Sequence, residues 1–201
     1  MNYIFFKRLT DLLISLFVII VFFIPLIIIL ILSVIIDNQF PLFAQYRSGK
    51  NGKKIKIYKI KSMKLDNNGR LYVTKIGKII RITKLDELPQ FYNIFINDMS
   101  LIGPRPLYLE FNDYYKKKHI DRLNVKPGLT GLAQINVRDS TNWQSKFDYD
   151  CYYVSNISLL LDLNIFFQTL KLLFNTIFLK KDRRIEIIDY KKNFMKYYAN
   201  K

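Results

Sequence analysis

An uncharged apolar run near the amino terminus constrains this chain more than any other feature. From Leu12 to Ile36 the sequence reads LLISLFVIIVFFIPLIIILILSVII, without Asp, Glu, Lys or Arg. A helix needs roughly 20 apolar residues to cross a bilayer core, so this run predicts a segment that lies in lipid. It is longer than the roughly 7 to 15 apolar residues of a cleavable signal. We therefore expect residues 1–37 to form an attached membrane anchor.

Basic residues lie on both sides of the apolar run. Lys7 and Arg8 precede it, and five basic side chains follow between residues 47 and 56. The positive-inside rule holds both ends on the cytoplasmic side, which predicts a re-entrant helix that enters the membrane and leaves again. Pro25 removes a helix hydrogen bond near the middle, so the predicted break is at Pro25. A kinked single span remains the alternative, because membrane helices tolerate proline.

The charge balance of the whole chain is strongly basic. There are 32 Lys and Arg against 16 Asp and Glu, for a formal net charge of +16. Charge alone would permit binding to nucleic acid or anionic lipid, so a non-catalytic basic membrane protein is one alternative. The single cysteine, Cys151, cannot form an intramolecular disulfide and gives no sign of an oxidising compartment. We expect residues 38–201 to form a cytoplasmic domain.

Sequence patterns after the anchor predict an α+β domain that is mainly helical. Gly49 and the pair Asn51-Gly52 mark a turn between two β-prone runs. Residues 54–61 alternate basic and apolar side chains, which predicts a strand with one buried face and one cationic face. A short β-hairpin is therefore expected here.

Further segments are predicted from periodicity and glycine content. A helix is expected near residues 76–82, and VKPGLTGLAQINVR, residues 125–138, is a glycine-marked loop. The long apolar run 156–181 is helical, and both a helix on the bilayer surface and a buried core helix remain open. His119 follows YYKKK and is predicted to be solvated, whereas Trp143 and Cys151 are predicted to pack in the interior.

The hexapeptide LDELPQ, residues 85–90, places two acids at the start of another predicted helix. Asp86 fits the N-cap and Pro89 the first turn. The apolar residues Leu88, Phe91, Tyr92 and Phe95 have the spacing of one helix face. Capping and dipole effects, worth about 0.5 to 2 kcal/mol, would be enough to explain the acids. The same position is also where anions gather, and a carboxylate such as Asp86 or Glu87 can act as a nucleophile.

An arginine between two prolines follows the acid pair. In GPRP, residues 103–106, the prolines fix the backbone around Arg105, and a guanidinium matches phosphate oxygens in a bidentate fork. Arg81, Lys61 and Arg138 are further cationic candidates. Together these residues describe a site where a carboxylate meets a polyanion at a membrane, and phosphoryl transfer between a soluble nucleotide and a lipid fits such a site.

Three segments carry a resemblance to a known family. KLDELPQFYNIFINDMSLIGPRPL, VKPGLTGLAQIN and KFDYDCYY resemble, in order and spacing, the bacterial sugar transferase family, in particular its small monotopic phosphoglycosyl transferases of the PglC type. The similarity extends from Lys7 to roughly Lys180. The resemblance implies an enzyme that moves a sugar-1-phosphate from a UDP-sugar to polyprenol (undecaprenyl) phosphate and releases UMP, at the cytoplasmic face of the inner membrane.

The resemblance also implies roles for individual residues. Asp86 would be the nucleophile that holds a covalent phospho-sugar, with Mg²⁺ beside it, and Glu87 would assist. Arg81, Arg105 and Arg138 match family arginines and are expected to contact the phosphates and the nucleotide, with Lys61 as a further candidate. The expected partners are the UDP-sugar, polyprenol phosphate, membrane lipids and downstream glycosyl transferases, and no nucleic acid.

The chain departs from the family pattern at three positions. Ile24 stands where the family usually has serine before Pro25, Val137 replaces a glycine before Arg138, and Lys126 replaces an arginine. The family's anchor is re-entrant and broken by proline, which favours the hairpin over the single span. A direct glycosyl transferase that releases UDP is a remaining alternative within glycan chemistry.

Overall fold

The apolar run forms two helices in the computed structural model, α1 (Tyr3–Val21) and α2 (Phe23–Asp37), which meet at a bend of 57°. The bend is centred on Phe22, three residues before Pro25, so the predicted break at Pro25 itself is wrong in position. The proline is still its physical cause, because Pro25 has no N–H to donate to the carbonyl of Val21 and its ring crowds that carbonyl. The flanking hydrogen bond from Leu26 N to Phe22 O is 2.8 Å long.

The structure describes residues 3–137 and 142–179 together with residues 194, 195 and 197. Within these ranges no single helix is long and apolar enough to cross a bilayer, whereas α1 and α2 together satisfy the length and composition of a broken span or a re-entrant loop. Large apolar side chains on both helices are exposed, among them Phe17, Ile20, Ile24 and Ile35.

A β-hairpin follows the helix pair, as predicted. Strands β1 (Leu42–Ser48) and β2 (Lys54–Ile60) are antiparallel, with Ser48 opposite Lys54. The turn contains Asn51 and Gly52 in the left-handed region, at φ 55° and 73°, as Asn-Gly turns require. On β2, Ile55 and Ile57 are buried while Lys54 and Lys56 are exposed, which confirms the predicted two faces for the first half of the strand. The pattern does not continue, because Ile60 lies on the same face as Lys54 and Lys56 and is buried.

The rest of the domain is mixed α and β, and mainly helical. The remaining elements are β3 (Met63–Leu65), β4 (Leu71–Val73), α3 (Lys75–Ile82), α4 (Gln90–Phe95), β5 (Ser100–Ile102), β6 (Gly128–Thr130), α5 (Leu132–Asn136), α6 (Trp143–Ser155) and α7 (Leu159–Ile177). Strands β3 and β4 are antiparallel, whereas β5 and β6 are parallel. The predicted helix near residues 76–82 is α3.

The segment predicted to be a glycine-marked loop is instead β6 followed by α5. Its glycines serve close packing, since a Cβ on Gly128 would lie 2.1 Å from the backbone nitrogen of Gly103 and one on Gly131 would lie 2.1 Å from the carbonyl oxygen of Gly103. Glycine there permits close backbone approach. The strand pair β5–β6 therefore holds the residues before Arg105 tightly against residues 128–131.

Three hydrophobic clusters form the core in the part of the chain that the structure describes. The one beside α6 contains Leu107, Phe111, Tyr115, Trp143, Phe147 and Phe194, which confirms the prediction for Trp143, while Cys151 is partly exposed. The prediction that His119 is solvated is wrong: it lies in the 3₁₀ segment Lys117–Leu123 with its ring 5.1 Å from that of Phe147, and it is buried. The charged residues around His119 in sequence conceal this inward position.

Helix α7 exposes one apolar face. Leu160 and Phe167 are exposed, whereas Ile165 and Asp162 are buried. The Asp162 carboxylate accepts hydrogen bonds from Tyr3 and Lys7, at 2.6 and 2.7 Å. The structure therefore does not bury α7 on all sides. The start of α1 is joined to α7 through the polar contacts of Tyr3 and Lys7 with Asp162.

Candidate active site

The two acids lie in a 3₁₀ turn, Leu85–Glu87, that leads into α4. Lys84 before the turn has a left-handed backbone at φ 60°. The turn closes with its own backbone hydrogen bonds, from Glu87 N to Lys84 O and from Leu88 N to Leu85 O. The prediction that Asp86 is an N-cap is therefore wrong, because the backbone groups that it would cap are already part of the preceding turn.

Helix α4 also buries a different face from the predicted one. Its buried residues are Gln90, Asn93 and Ile94, whereas Tyr92 and Phe95 are exposed. Asn93 faces β2, where its Oδ1 accepts from Tyr58 N at 3.3 Å and its Nδ2 donates to Lys56 O at 2.7 Å. Hydrogen bonding of a buried amide thus overrides the apolar spacing and fixes α4, with the acids before it, against the hairpin.

Glu87 forms a salt bridge with Lys59 of β2. The Lys59 Nζ lies 2.7 Å from the Glu87 Oε1, with side-chain exposures of 29% and 16%. Burial alone would raise the pKa of Glu87, but the positive charges of Lys59, Lys84 and Arg105 outweigh it and lower the pKa to about 2. Glu87 is therefore ionised throughout the physiological pH range.

Asp86 has a contrasting environment. Its Oδ1 is buried and has no hydrogen-bond partner among the described residues. Burial, followed by the negative charge of Glu87, raises the pKa of Asp86, while Lys59, Lys84 and Arg81 act in the opposite direction. Adjacent acids thus differ, because a salt bridge to Lys59 holds Glu87, whereas burial and the negative charge of Glu87 make Asp86 the more basic carboxylate.

A pocket opens beside the acid pair. Its polar and charged lining residues are Gln45, Arg47, Lys59, Glu87, Gln90 and Arg105. The three cations come from β1, β2 and the arginine turn, residues 103–106. Lys59 and Arg105 act on the charge of Glu87. A ligand with several negative charges, such as a diphosphate, matches this lining. Asp86 is the residue before Glu87 in the same turn, and it is not part of the pocket lining.

The arginine turn is held by backbone contacts on both sides. Gly103 N donates to Thr130 O and Gly128 N donates to Pro104 O, each at 2.9 Å. Arg105 and Pro106 line the pocket. The structure therefore brings Arg105 and Glu87, two of the predicted site residues, to one pocket.

The other predicted residues are placed as follows. The Arg81 Nη1 lies 3.5 Å from the Ser62 Oγ, and its charge acts on Asp86. Lys61 is exposed and is not part of the pocket lining. Arg138 lies outside the described residues.

Mg²⁺ fits the chemistry of the acid pair. No group of three His, Cys, Asp or Glu side chains that could hold a metal occurs within residues 3–137, 142–179, 194, 195 and 197. Mg²⁺ is, however, commonly bound by only one or two carboxylates, with substrate phosphates and water completing its shell. The unpartnered Oδ1 of Asp86 is a hard oxygen ligand of the required kind.

Sequence reasoning missed four polar pocket residues, Gln45, Arg47, Lys59 and Gln90. A signal for Lys59 was present, because residues 55, 57 and 59 lie on one face of a strand. Ile55 and Ile57 mark that face as the inner one, so a lysine at 59 points towards the interior and requires a partner. For the other three residues no comparable signal exists in a single sequence.

Residues 2–176 match the family model described as "Bacterial sugar transferase". The "Uncharacterized sugar transferase EpsL" of Bacillus subtilis is 43% identical over 136 residues, which cover 64% of this chain and 67% of that protein. A "UDP-glucose:undecaprenyl-phosphate glucose-1-phosphate transferase" of Klebsiella pneumoniae is 38% identical over 182 residues, covering 82% of this chain and 39% of that protein.

A "UDP-N-acetylgalactosamine-undecaprenyl-phosphate N-acetylgalactosaminephosphotransferase" of Aeromonas hydrophila is 38% identical over 145 residues, covering 65% of this chain. The matched region is 34% of that protein. The chain thus spans well under half the length of these two named transferases.

Proposed function

The chain belongs to the bacterial sugar transferase family, and from that membership we propose that it transfers a sugar-1-phosphate from a UDP-sugar to undecaprenyl phosphate and releases UMP. The observation that carries the proposal is the contrast between the paired acids. Asp86 has a buried oxygen without a hydrogen-bond partner in the described structure, beside Glu87, which Lys59 holds ionised. That arrangement suits a nucleophilic carboxylate next to a phosphate-binding pocket.

The proposed reaction has two displacement steps at one phosphorus atom. In the first, an Asp86 carboxylate oxygen attacks the β-phosphorus of the UDP-sugar. An O–P bond forms, the bond from that phosphorus to the bridging oxygen breaks, and UMP leaves with that oxygen. In the second, a phosphate oxygen of undecaprenyl phosphate attacks the same phosphorus, which breaks the bond to Asp86, forms the lipid diphosphate-sugar and restores the carboxylate.

The surrounding cations would orient the diphosphate. Arg105 and Arg47 both line the pocket that Glu87 lines, and guanidinium groups bind phosphate oxygens in fixed geometry. Two further phosphate or nucleotide contacts are proposed, Arg81 and Arg138. The positive charge of Arg81 lowers the pKa of Asp86. When bound at Asp86, Mg²⁺ would offset diphosphate charge and stabilise UMP as the leaving group.

A re-entrant anchor is part of the proposal. The start of α1 contacts α7 through Lys7 and Asp162, and the end of α2 contacts α3, where Thr74 Oγ1 donates to Asp37 Oδ2 at 2.5 Å. Both ends of the helix pair therefore meet the same domain. The two bent helices form a shallow triangle whose third side is the line joining their ends. At a rise of about 1.5 Å per residue, the bend at the apex lies only roughly 12 Å from that line. This depth is well short of a bilayer core of about 30 Å.

The protein would then act at the cytoplasmic face of the inner membrane, at the first membrane step of glycan assembly. Downstream glycosyl transferases would use its lipid-linked product. A non-catalytic basic protein has no need of a buried carboxylate oxygen that lacks a hydrogen-bond partner among the described residues, and its class is not the one that the family match indicates.

Product identity tests the proposed function. Purified protein in detergent or lipid nanodiscs, given undecaprenyl phosphate, Mg²⁺ and each of several UDP-sugars, should release UMP with one or more of them. Asp86→Asn should lose at least about a thousandfold in rate, because an amide is not a competent nucleophile. Release of UDP would indicate a direct glycosyl transferase, and unchanged UMP release by Asp86→Asn would exclude Asp86 as the nucleophile.

A further inference from the structure

A buried arginine, Arg122, lies behind the arginine turn and outside the pocket. It belongs to the 3₁₀ segment Lys117–Leu123 and is 3% exposed. Its Nε and Nη2 donate to Asp150 Oδ2 at 3.1 and 2.9 Å, and its Nη1 donates to the Tyr115 hydroxyl at 2.8 Å. A buried carboxylate thus neutralises the guanidinium and holds its planar fork in one orientation.

The same guanidinium also reaches the arginine turn. The Nη2 of Arg122 donates to the backbone carbonyl of Arg105 at 2.7 Å. Pro104 and Pro106 have no N–H group, so the turn has few donors of its own and its carbonyls take donors from outside. Gly128 N donates to the carbonyl of Pro104, and Arg122 Nη2 donates to the carbonyl of Arg105.

The position of Arg105 matters to the acid pair. Its side chain lines the pocket with Glu87, and its charge contributes to the low pKa of Glu87. A rotation of the turn would move the guanidinium away from Glu87 while leaving the Lys59 salt bridge in place. The contact from Arg122 to the Arg105 carbonyl is well placed to prevent that rotation.

We propose that Arg122 is a positioning residue that acts through Arg105, fixing the arginine turn so that the Arg105 guanidinium faces the substrate phosphates. The inference rests on the function proposed above. Asp150 balances the charge of Arg122, so Arg122 contributes geometry to the pocket rather than charge. Displacing a binding group by about 1 Å can cost roughly a hundredfold in rate.

A double-mutant cycle separates this role from a general effect on the fold. Arg122→Lys keeps the charge and loses the fork, so it should lower kcat/KM by about 10- to 100-fold in the wild-type background. In the Arg105→Ala background, where no guanidinium remains to be positioned, the same change should cost less than about twofold. Equal losses in the two backgrounds would overturn the proposal.

Amide hydrogen exchange gives a second readout that does not depend on turnover. Trp143→Phe, a core substitution in the helix that contains Asp150, is the control. When the two variants are compared at equal stability, Arg122→Lys should speed amide exchange in segment 103–107 more than Trp143→Phe does. Asp150→Asn, which loosens the same fork, serves if Arg122→Lys does not fold. Equal exchange in that segment would refute the positioning role, whereas absence of UMP release by the wild type would refute only the proposed reaction.

Discussion

At the scale of single residues, Lys59 gives the two neighbouring acids different properties. It lies 2.7 Å from Glu87 and is the main reason why the pKa of that group falls to about 2 despite burial. The Oδ1 of Asp86 is buried and has no partner among the described residues. Burial, followed by the negative charge of Glu87, raises the pKa of Asp86. A more basic carboxylate is the better nucleophile, provided that it is ionised.

The pH dependence of the reaction should therefore respond to Lys59. Asp86 can attack only as the carboxylate, so kcat/KM should fall as the pH drops through the pKa of Asp86. Lys59→Gln removes a positive charge that lowers the pKa of both acids. The acid limb of the profile should move to higher pH by about one unit or more. The measurement is UMP release between pH 4 and pH 8, which spans roughly the ordinary carboxylate and histidine pKa values.

Lys56→Gln provides the matched control for that experiment. It makes the same change in net charge on the same strand, but Lys56 is on the exposed face. Its acid limb should coincide with that of the wild type. If both variants shift the limb equally, overall charge rather than the Lys59 contact sets the pKa of the acids.

The residues of the site were only partly predictable from the sequence. Asp86, Glu87 and Arg105 stand out by charge and by the rigid prolines, and the structure places Glu87 and Arg105 at one pocket. The N-cap role of Asp86 was wrong because Asp86 lies inside the turn Leu85–Glu87, where Leu88 N already donates to Leu85 O. Arg122 could not be predicted, because its partner Asp150 is 28 residues away in the chain.

At the scale of elements, the anchor is joined to the domain at both ends. Arg8 donates to the carbonyls of Ile94 and Phe95 at the end of α4, at 2.7 and 2.8 Å, and Asp11 Oδ1 accepts from Leu101 N at the edge of β5. Arg8, a basic residue before the apolar run, thus binds protein groups of the domain.

Labelling of single cysteines should show which side of the membrane the amino terminus faces. In a Cys151→Ser background, Asn2→Cys should react with a membrane-impermeant maleimide only when the cytoplasmic face is accessible, because both ends of the anchor contact one domain. Lys117→Cys, at an exposed position of that domain, is the control. Labelling of the two positions from opposite sides would establish a true span.

Local chemistry explains which elements the sequence predicts well. The β1–β2 hairpin follows from an Asn-Gly turn and alternating side chains, and both signals lie within one short stretch. The strand pair β5–β6 escapes prediction because it is short, parallel and formed across the intervening residues 103–127. The buried face of α4 differs from the apolar one because Asn93 bonds to β2, which no periodicity reveals.

At the scale of the whole molecule, a residue beyond the family match completes the core. The similarity to the family model ends at residue 176, yet Phe194 is fully buried and stacks on Phe111 with ring centroids 3.5 Å apart. Trp143 and Phe147 contact the Phe194 ring edge-on. Phe111 follows the arginine turn closely in the chain, so packing by Phe194 supports the region next to the pocket.

Removal of the Phe194 ring should therefore destabilise the protein. Phe194→Ala should lower the free energy of unfolding by about 3 to 5 kcal/mol, through lost burial and the cavity left behind. Met195→Ala, at a position that is 41% exposed, should change it by less than about 0.5 kcal/mol. Denaturant unfolding in detergent measures the free energy of unfolding of both variants. A similar small effect of the two substitutions would mean that Phe194 does not contribute to the core.

The central claim is that Asp86 forms a covalent bond to the phospho-sugar, and intact-protein mass spectrometry tests it most directly. After incubation with the UDP-sugar and Mg²⁺ but without undecaprenyl phosphate, the protein should gain the mass of one sugar phosphate less one water. The adduct should map to Asp86, be absent in Asp86→Asn, and disappear when undecaprenyl phosphate is added. An unmodified protein under conditions in which lipid transfer proceeds rapidly, or an adduct that persists in Asp86→Asn, would contradict the account.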